Sequence, residues 1–336
     1  MKSDMLRRVM RAIAMGSQDD LDRLAQKIVD SERLSGHSRL AEELDAILKN
    51  TEKRRHARGA GIDSDRAIHE LPVSRRHRDL LVTFIPRDAL EHHIVLPPDV
   101  EERFARTERE YAARERLSAY GLQPRKTVLL YGPPGCGKSL GAKRIAWNTG
   151  LPLMKVRFDA LISSYFGESA SNLRAVFDAA KEKPCVLLLD ECDFIARSRV
   201  ASKDIGEVAR IVNTLLQLME EYDAPGLLVA TTNVESSLDE ALFRRFDEVF
   251  QVPLPGPHEI DKLLKMALSG VKTTDGIAWM ELVTLLEGIS AAQIVKAAQA
   301  AAKMAVLSGK RVVEEDHLRH AIRELKPPAS ETSRQF

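Results

Sequence analysis

The sequence predicts an α/β fold in which helices cover both faces of a parallel β-sheet, followed by a smaller helical part. Between residues 127 and 252, short apolar runs alternate with segments of helical periodicity, as in sheets that are buried on both faces. Beyond the proline-rich segment 253–257, the periodicity is purely helical as far as residue 325. Apolar stripes at helical spacing within residues 1–50 predict a small all-α module before the sheet.

The individual elements follow from the same periodicities. The predicted strands cover 127–131, 152–158, 185–189, 227–231 and 248–252. The predicted helices between them cover 138–149, 170–182 and 205–222. A charged segment from Asp99 to Ser118 follows two prolines and has the charge pairs of an exposed helix.

The composition excludes several classes of protein. The chain has 336 residues, with 50 Lys and Arg against 49 Asp and Glu, and this net charge of +1 argues against nucleic-acid binding by bulk charge. Hydrophobic residues make up 44% of the chain, which excludes wholesale disorder. No apolar run approaches the roughly 18–20 residues of a membrane span, and no signal-peptide core is present. We therefore expect a cytoplasmic protein with no membrane partner and three buried or loop thiols.

One segment matches a phosphate-binding loop. Residues 132–139 follow the pattern G-x-x-x-x-G-K-[ST] between a predicted strand and a predicted helix. The glycines let backbone N–H groups turn toward phosphate oxygens, and the helix N-terminus adds positive potential. We expect Lys138 to bridge the β- and γ-phosphates and Ser139 to bind Mg²⁺. The predicted nucleotide-binding residues are Pro134, Gly135, Cys136, Gly137, Lys138, Ser139 and Leu140.

A pair of carboxylates follows the predicted strand 185–189. Asp190 and Glu191 come directly after four apolar residues, at the strand end where ligands of open α/β sheets bind. Asp190 is expected to hold Mg²⁺ together with Ser139. Glu191 is expected to act as the general base that polarises an attacking water molecule.

These motifs resemble the AAA+ ATPases, and within them the AAA family proper, over roughly residues 88–325. Segment 120–124 resembles the family's lead-in to the phosphate loop, and 190–193 resembles its acidic box. Segment 288–294 resembles the glycine–x–serine helix start of the family's lid. The resemblance implies a phosphate-loop nucleotide-binding fold with a helical lid, ATP and Mg²⁺ as cofactors, ATPase activity and assembly into a homo-oligomer, a hexamer.

The resemblance also assigns residues beyond the phosphate loop. Asn233, which ends a strand, is similar to the family's sensor between the γ-phosphate and the attacking water. Residues 238–247 resemble the second region of homology, whose two arginines reach the neighbouring subunit's site. The family usually has two residues between these arginines, whereas Arg244 and Arg245 are adjacent. At least one is expected to be the arginine finger, and which one is open.

A third set of residues resembles the pore loop of protein-threading AAA machines. Tyr165, Phe166 and Gly167 follow the second predicted strand in a serine-flanked loop. In a ring, two exposed aromatics would line the channel and grip a polypeptide irrespective of its sequence. The alternative interpretation is that the two aromatics form a buried core pair.

The predicted domains are a helical module at 1–50, a linker at 51–87, a nucleotide-binding α/β domain at 88–255, a helical lid at 256–326 and a disordered tail at 327–336. For residues 1–50, an adaptor or oligomerisation module and a bundle without an independent role both remain open. No second phosphate loop and no H-E-x-x-H zinc-protease motif occur. The predicted function is a single-ring ATPase that remodels, unfolds or threads protein substrates, with a separately encoded peptidase or other effector left open as a partner.

Three rival functions stay open at this stage. The first is an AAA+ nucleic-acid remodeller or loader, which the aromatic loop and the near-zero charge argue against. The second is a scaffold that uses ATP only for assembly, which the presence of Glu191 and the arginine pair argues against. The third is a small-molecule kinase, in which Asn233 and the arginines would have no role.

Overall fold

The computed structural model describes residues 71–74, 79–163, 168–192, 205–233, 244–309 and 312–325. The expectations for the N-terminal module, for most of the linker and for the C-terminal tail concern residues outside these ranges and stay predictions.

A six-stranded sheet is the centre of the described part of the chain. Its strands are β1 (Val82–Ile85), β2 (Thr127–Tyr131), β3 (Leu153–Val156), β4 (Val186–Leu189), β5 (Leu227–Thr232) and β6 (Glu248–Gln251). They lie in the order β1-β3-β4-β5-β2-β6. All neighbours run parallel except β1, which pairs antiparallel with β3 at one edge. The predicted fold class is therefore confirmed.

Helices cover both faces of this sheet. They are α1 (Pro98–Ala112), α2 (Arg114–Ala119), α3 (Lys138–Thr149), α4 (Phe158–Ser163), α5 (Ser169–Glu182) and α6 (Ile205–Glu220). One apolar cluster joins α5 and α6 to one face, and it includes the fully buried Phe177. A second cluster joins α1 and α3 to the other face through Phe104 and Ile145. Strands buried on both faces explain why their sequences are continuous apolar runs.

Helix α1 was predicted to be exposed, but one of its faces is buried. The charge pairs suggested an exposed helix, but Val100, Phe104 and Tyr111 form a buried face that packs with α3. The apolar positions are spaced at four and seven residues, which is the amphipathic spacing. Because most residues between these apolar positions are charged, the sequence did not indicate a buried face.

A helical part with its own core follows the sheet. It contains α7 (Pro257–Ala267), α8 (Trp279–Leu285), α9 (Ala291–Leu307) and α10 (Glu315–Leu325), with a parallel pair of two-residue strands, β7 (Lys272–Thr273) and β8 (Val312–Val313). At the start of α7 the Glu259 carboxylate accepts the backbone N–H of Gly256 at 3.1 Å. This bond satisfies a donor that the helix itself leaves unpaired.

Two further expectations concern membrane-spanning helices and the state of the cysteines. None of their helices is both long enough and apolar enough to cross a bilayer. The three cysteines are buried free thiols. Burial raises the pKa of Cys136 and raises that of Cys185 to about 12, so both thiols are protonated at neutral pH.

Candidate nucleotide-binding site

A cavity of about 580 Å³ lies at the carboxyl ends of the parallel strands, between the sheet and the helical part. Its lining includes every predicted nucleotide-binding residue together with the predicted acidic and sensor residues: Pro134, Gly135, Cys136, Gly137, Lys138, Ser139, Leu140, Asp190, Glu191 and Asn233. The helical part contributes Leu263, Met266, Ala291, Ala292 and Val295. The cavity is thus polar where the strands end and apolar where the helices close over it.

The phosphate loop is built from glycines that no other residue could replace without strain. Gly132 has a φ of 139° and Gly135 a φ of 76°, both in the region that side chains disfavour. A Cβ on Gly132 would lie 2.3 Å from the carbonyl oxygen of Val252, and one on Gly135 would lie 2.9 Å from Ser290 Oγ. The curl of the loop and its close contact with the helical part both require glycine.

Lys138 begins α3 and is buried. Its Nζ donates to the carbonyl oxygens of Gly132 at 2.8 Å and Pro133 at 2.7 Å, both within the loop. These bonds keep a buried ammonium group hydrogen-bonded, as burial of a charge requires. They also hold the positive charge beside the backbone that is expected to surround the phosphates.

Asp190 is the most heavily bonded acidic group of the cavity. Its Oδ1 accepts hydrogen bonds from Ser139 Oγ and from Thr231 Oγ1, each at 2.7 Å, and its Oδ2 accepts one from Lys155 Nζ at 2.6 Å. Burial would raise the pKa of Asp190, but the bonds from Lys155, Thr231 and Ser139 outweigh burial and hold that pKa below its usual value. The carboxylate is therefore ionised at neutral pH.

The contact between Ser139 and Asp190 places a hydroxyl and a carboxylate oxygen side by side on the cavity wall. Oxygen donors of this kind are the ligands that Mg²⁺ prefers, and Mg²⁺ takes only one or two of them from a protein when phosphates supply others. The predicted metal-binding pair therefore fits the ion chemically.

Glu191 has an unusual backbone conformation. Its φ is 57°, the one positive value found at a non-glycine residue in the described part of the chain. Its N–H donates to Thr231 Oγ1 at 2.9 Å, and the next N–H, of Cys192, donates to the Thr231 carbonyl oxygen at 2.8 Å. The exposed Glu191 side chain belongs to the cavity wall.

Sequence patterns failed to predict Thr231 and segment 93–95 of the cavity lining, and also Lys155, which is not part of the lining but donates to Asp190. Thr231 lies two residues before Asn233, near the end of β5, and in the sequence this spacing predicts that both side chains lie on one side of an extended chain, which is a signal that the sequence does carry. Lys155 interrupts the apolar run of β3, which is a weaker signal. Segment 93–95 also lines the cavity and carried no signal at all.

The neighbourhood of segment 93–95 is aromatic. His92 stacks on Trp147 with ring centroids 4.0 Å apart and planes 2° from parallel, and the Arg87 guanidinium lies 4.9 Å from the centre of the same indole. Burial and the adjacent His92 lower the pKa of His93, so its imidazole is neutral at pH 7. This end of the cavity offers uncharged, largely apolar surface, whereas the phosphate loop offers donors.

The helical part touches the phosphate loop directly. The N–H of Ala292, in the first turn of α9, donates to the carbonyl oxygen of Gly135 at 3.0 Å. Ser290 stands at the N-cap position of α9, although its hydroxyl donates to Gln293 Oε1 rather than capping the helix. Small residues at the start of α9 allow this close approach.

Comparison with known proteins gives the family. The model of the AAA family, ATPases associated with various cellular activities, matches residues 128–254. An uncharacterized AAA family ATPase of Sinorhizobium fredii, y4kL, is 33% identical over 92% of this chain and 91% of its own. The chain belongs to the AAA family. Membership supports nucleotide binding and ATPase activity.

Other AAA relatives cover less of the chain. The proteasome-activating nucleotidase of Methanosarcina mazei is 31% identical over 70% of this chain, which corresponds to 57% of the nucleotidase. The proteasome-activating nucleotidase of Methanothermobacter thermautotrophicus is 37% identical over 54% of this chain, which corresponds to 46% of that nucleotidase. This AAA protein therefore spans about half the length of these nucleotidases.

The paired arginines of this AAA protein lie away from the nucleotide cavity. Arg244 and Arg245 line a separate cavity of about 420 Å³, together with Lys126, Glu220 and Asp223 among others. Arg245 forms an ion pair with Glu220 at 3.5 Å. A single chain thus brings Lys138, Ser139, Asp190, Glu191 and Asn233 together, but not the arginines. The predicted pore loop, Tyr165, Phe166 and Gly167, lies outside the described residues.

Proposed function

We propose that this AAA protein is a Mg²⁺-dependent ATPase that assembles into a hexameric ring and uses hydrolysis to unfold, thread or remodel other proteins. The observation that supports the catalytic part most strongly is the cavity itself. It gathers a phosphate loop, two oxygen ligands suited to Mg²⁺, a carboxylate on the wall and an amide from the adjacent strand end. Those are the groups that phosphoryl transfer to water uses.

Each side chain has a distinct task in the proposed reaction. Lys138 exchanges its two loop carbonyls for the β- and γ-phosphate oxygens when ATP binds. Ser139 and Asp190 hold Mg²⁺, which, when bound, neutralises negative charge on the phosphates. Glu191 accepts a proton from the attacking water, and Asn233 orients that water toward the γ-phosphate.

The arginines complete the site from a neighbouring chain. Arg244 and Arg245 belong to a different cavity of their own chain, so at least one of them acts in trans. A guanidinium is planar, permanently charged and able to form paired hydrogen bonds with phosphate oxygens. Stabilising the transferred phosphoryl group in this way makes hydrolysis depend on assembly.

The proposed substrate is a protein. Two of the relatives are named proteasome-activating nucleotidases, and Tyr165, Phe166 and Gly167 resemble a pore loop. We propose that these residues contact the substrate chain in the ring's channel, and that a separately encoded peptidase or other effector receives the product.

Steady-state hydrolysis tests the catalytic proposal. The wild-type protein should release phosphate from ATP only when Mg²⁺ is present. Glu191→Gln should bind ATP but lose at least about 100-fold in kcat, because the amide cannot accept the proton. Lys138→Ala should lose nucleotide affinity, since it removes the buried charge at the loop. Turnover of Glu191→Gln near the wild-type rate would contradict the assignment of the base.

A further inference from the structure

We infer that Thr231 is the positioning residue of this site, since one hydroxyl group fixes both the metal-binding carboxylate of Asp190 and the backbone of the base Glu191. The inference rests on the proposed ATPase function and adds a residue that the phosphate loop and the acidic pair do not include.

The hydroxyl of Thr231 acts as a donor to one residue of the acidic pair and as an acceptor from the other. Oγ1 donates to Asp190 Oδ1 at 2.7 Å and accepts the Glu191 N–H at 2.9 Å. Thr231 is 1% exposed, so water does not compete for either bond. A short bond to an ionised carboxylate in a buried setting is among the stronger hydrogen bonds in proteins.

Strand order explains why Thr231 reaches both residues. β5 lies parallel beside β4, with Leu189 opposite Ala230, so Thr231 is level with Asp190 where β4 ends. The Thr231 carbonyl oxygen then accepts the N–H of Cys192 at 2.8 Å. The turn after β4 is therefore attached to Thr231 by its side chain and its backbone.

The attachment holds Glu191 in a conformation that it would otherwise avoid. A φ of 57° is disfavoured for a residue with a Cβ, and such conformations persist where surrounding contacts determine them. The bonds of Glu191 and Cys192 to Thr231 are those contacts. Without them the turn can relax, and the carboxylate of Glu191 can leave its place on the cavity wall.

The other hydrogen-bond donors to Asp190 position only the Asp190 side chain. Ser139 reaches Asp190 from the phosphate loop, and Lys155 reaches it from β3. Both of these bonds end on the Asp190 side chain. Thr231 is the partner that links Asp190 to the backbone of the following residue, so its loss should impair metal use and proton transfer together.

The test compares three variants of the full-length chain. Thr231→Val keeps the shape but removes both hydrogen bonds, and Thr231→Ser keeps both bonds but removes the methyl group. Thr107→Val makes the same atomic exchange at a buried threonine whose hydroxyl donates to a helical carbonyl oxygen, that of Arg103. For each, kcat, KM for ATP, the Mg²⁺ concentration at half-maximal rate and the affinity for ADP in EDTA are measured.

Thr231→Val should lose about 10- to 100-fold in kcat, the usual effect of removing a partner of a metal ligand, and should need more Mg²⁺. Its affinity for ADP in EDTA should stay within about twofold, because the phosphate loop is intact. Thr231→Ser should recover kcat to within about threefold, and Thr107→Val should match the wild type. If Thr231→Val does not bind ADP, the smaller Thr231→Ala replaces it, with the same expectation.

Two results would overturn the inference alone: wild-type kcat in Thr231→Val, or a loss in Thr231→Ser as large as in Thr231→Val, which would mean that packing of the methyl group is what matters. A wild-type protein that binds ADP but does not hydrolyse ATP would instead overturn the proposed function, and the inference with it.

Discussion

At the scale of single residues, the site is a carboxylate surrounded by donors. Asp190 is bonded to Ser139, Thr231 and Lys155, and Lys155 contributes a full positive charge 2.6 Å from Oδ2. A cation so close to a proposed metal ligand affects how strongly that ligand attracts Mg²⁺.

Lys155→Met should therefore lower the Mg²⁺ concentration at half-maximal ATPase rate, by about threefold or more, because an ammonium group no longer repels the ion. The measurement is a Mg²⁺ titration of phosphate release at saturating ATP. Lys303→Met, at an exposed position on α9, is the matched control and should not change the titration. A higher Mg²⁺ requirement in Lys155→Met would show that the lysine mainly holds Asp190 in place.

The sequence identified the residues that carry a local pattern and missed those that depend on strand order. The phosphate loop was predictable because eight consecutive residues define it, and all of its predicted binding residues line the cavity. Thr231 and Lys155 reach Asp190 only because β5 and β3 flank β4 in the sheet. Sequence spacing alone does not give that order.

At the scale of elements, an ion pair fastens α1 to α3. Arg144 forms two parallel hydrogen bonds with the carboxylate of Glu101, each at 2.5 Å, and a further bond with Glu108. This fork is the geometry that guanidinium and carboxylate prefer. The hydrogen bonds from Arg144 hold the pKa of Glu101 below its ordinary value of 4.5.

This lowered pKa predicts a pH dependence of stability. Ionised Glu101 stabilises the fold, so its contribution should be complete above about pH 4.5 and should disappear as the pH falls through the lowered folded-state value. The free energy of urea unfolding, measured for the wild type and for Glu101→Gln, should differ at pH 7, and the difference should shrink as the pH is lowered below about 4.5. Glu102→Gln, at the next and exposed position, is the control. A difference that persists unchanged at the lowest pH would contradict the ionic explanation.

Element boundaries show which local signals are reliable. The observed β2 and α3 have the predicted bounds, because an apolar run and a phosphate loop delimit them. The predicted strand 152–158 ends instead at Val156, because α4 begins at Phe158. No pattern predicted β1, a four-residue edge strand whose formation depends on pairing with β3.

At the scale of the whole molecule, one cavity joins two structural parts. The sheet supplies the phosphate loop and the acidic residues, and α7 and α9 supply the opposite wall. The bond between Ala292 and Gly135 already links these parts. We propose that a nucleotide bound between them couples hydrolysis to their relative orientation.

The paired arginines concern contacts between chains. Arg244 and Arg245 are adjacent in the sequence and line one cavity together, so neither spacing nor position selects the finger. We propose that at least one of these arginines enters the site of a neighbouring chain, and a site of that kind is complete only in an oligomer.

The most direct test is the mass of Glu191→Gln by light scattering after gel filtration, with and without Mg·ATP. The variant should bind ATP without hydrolysing it, and a ligand that binds at subunit interfaces should favour assembly. We expect a shift to about six chains with ATP, and no shift for Lys138→Ala, which should not retain the nucleotide. A monomer under both conditions, at micromolar concentration, would contradict the proposed ring and the trans arginine together.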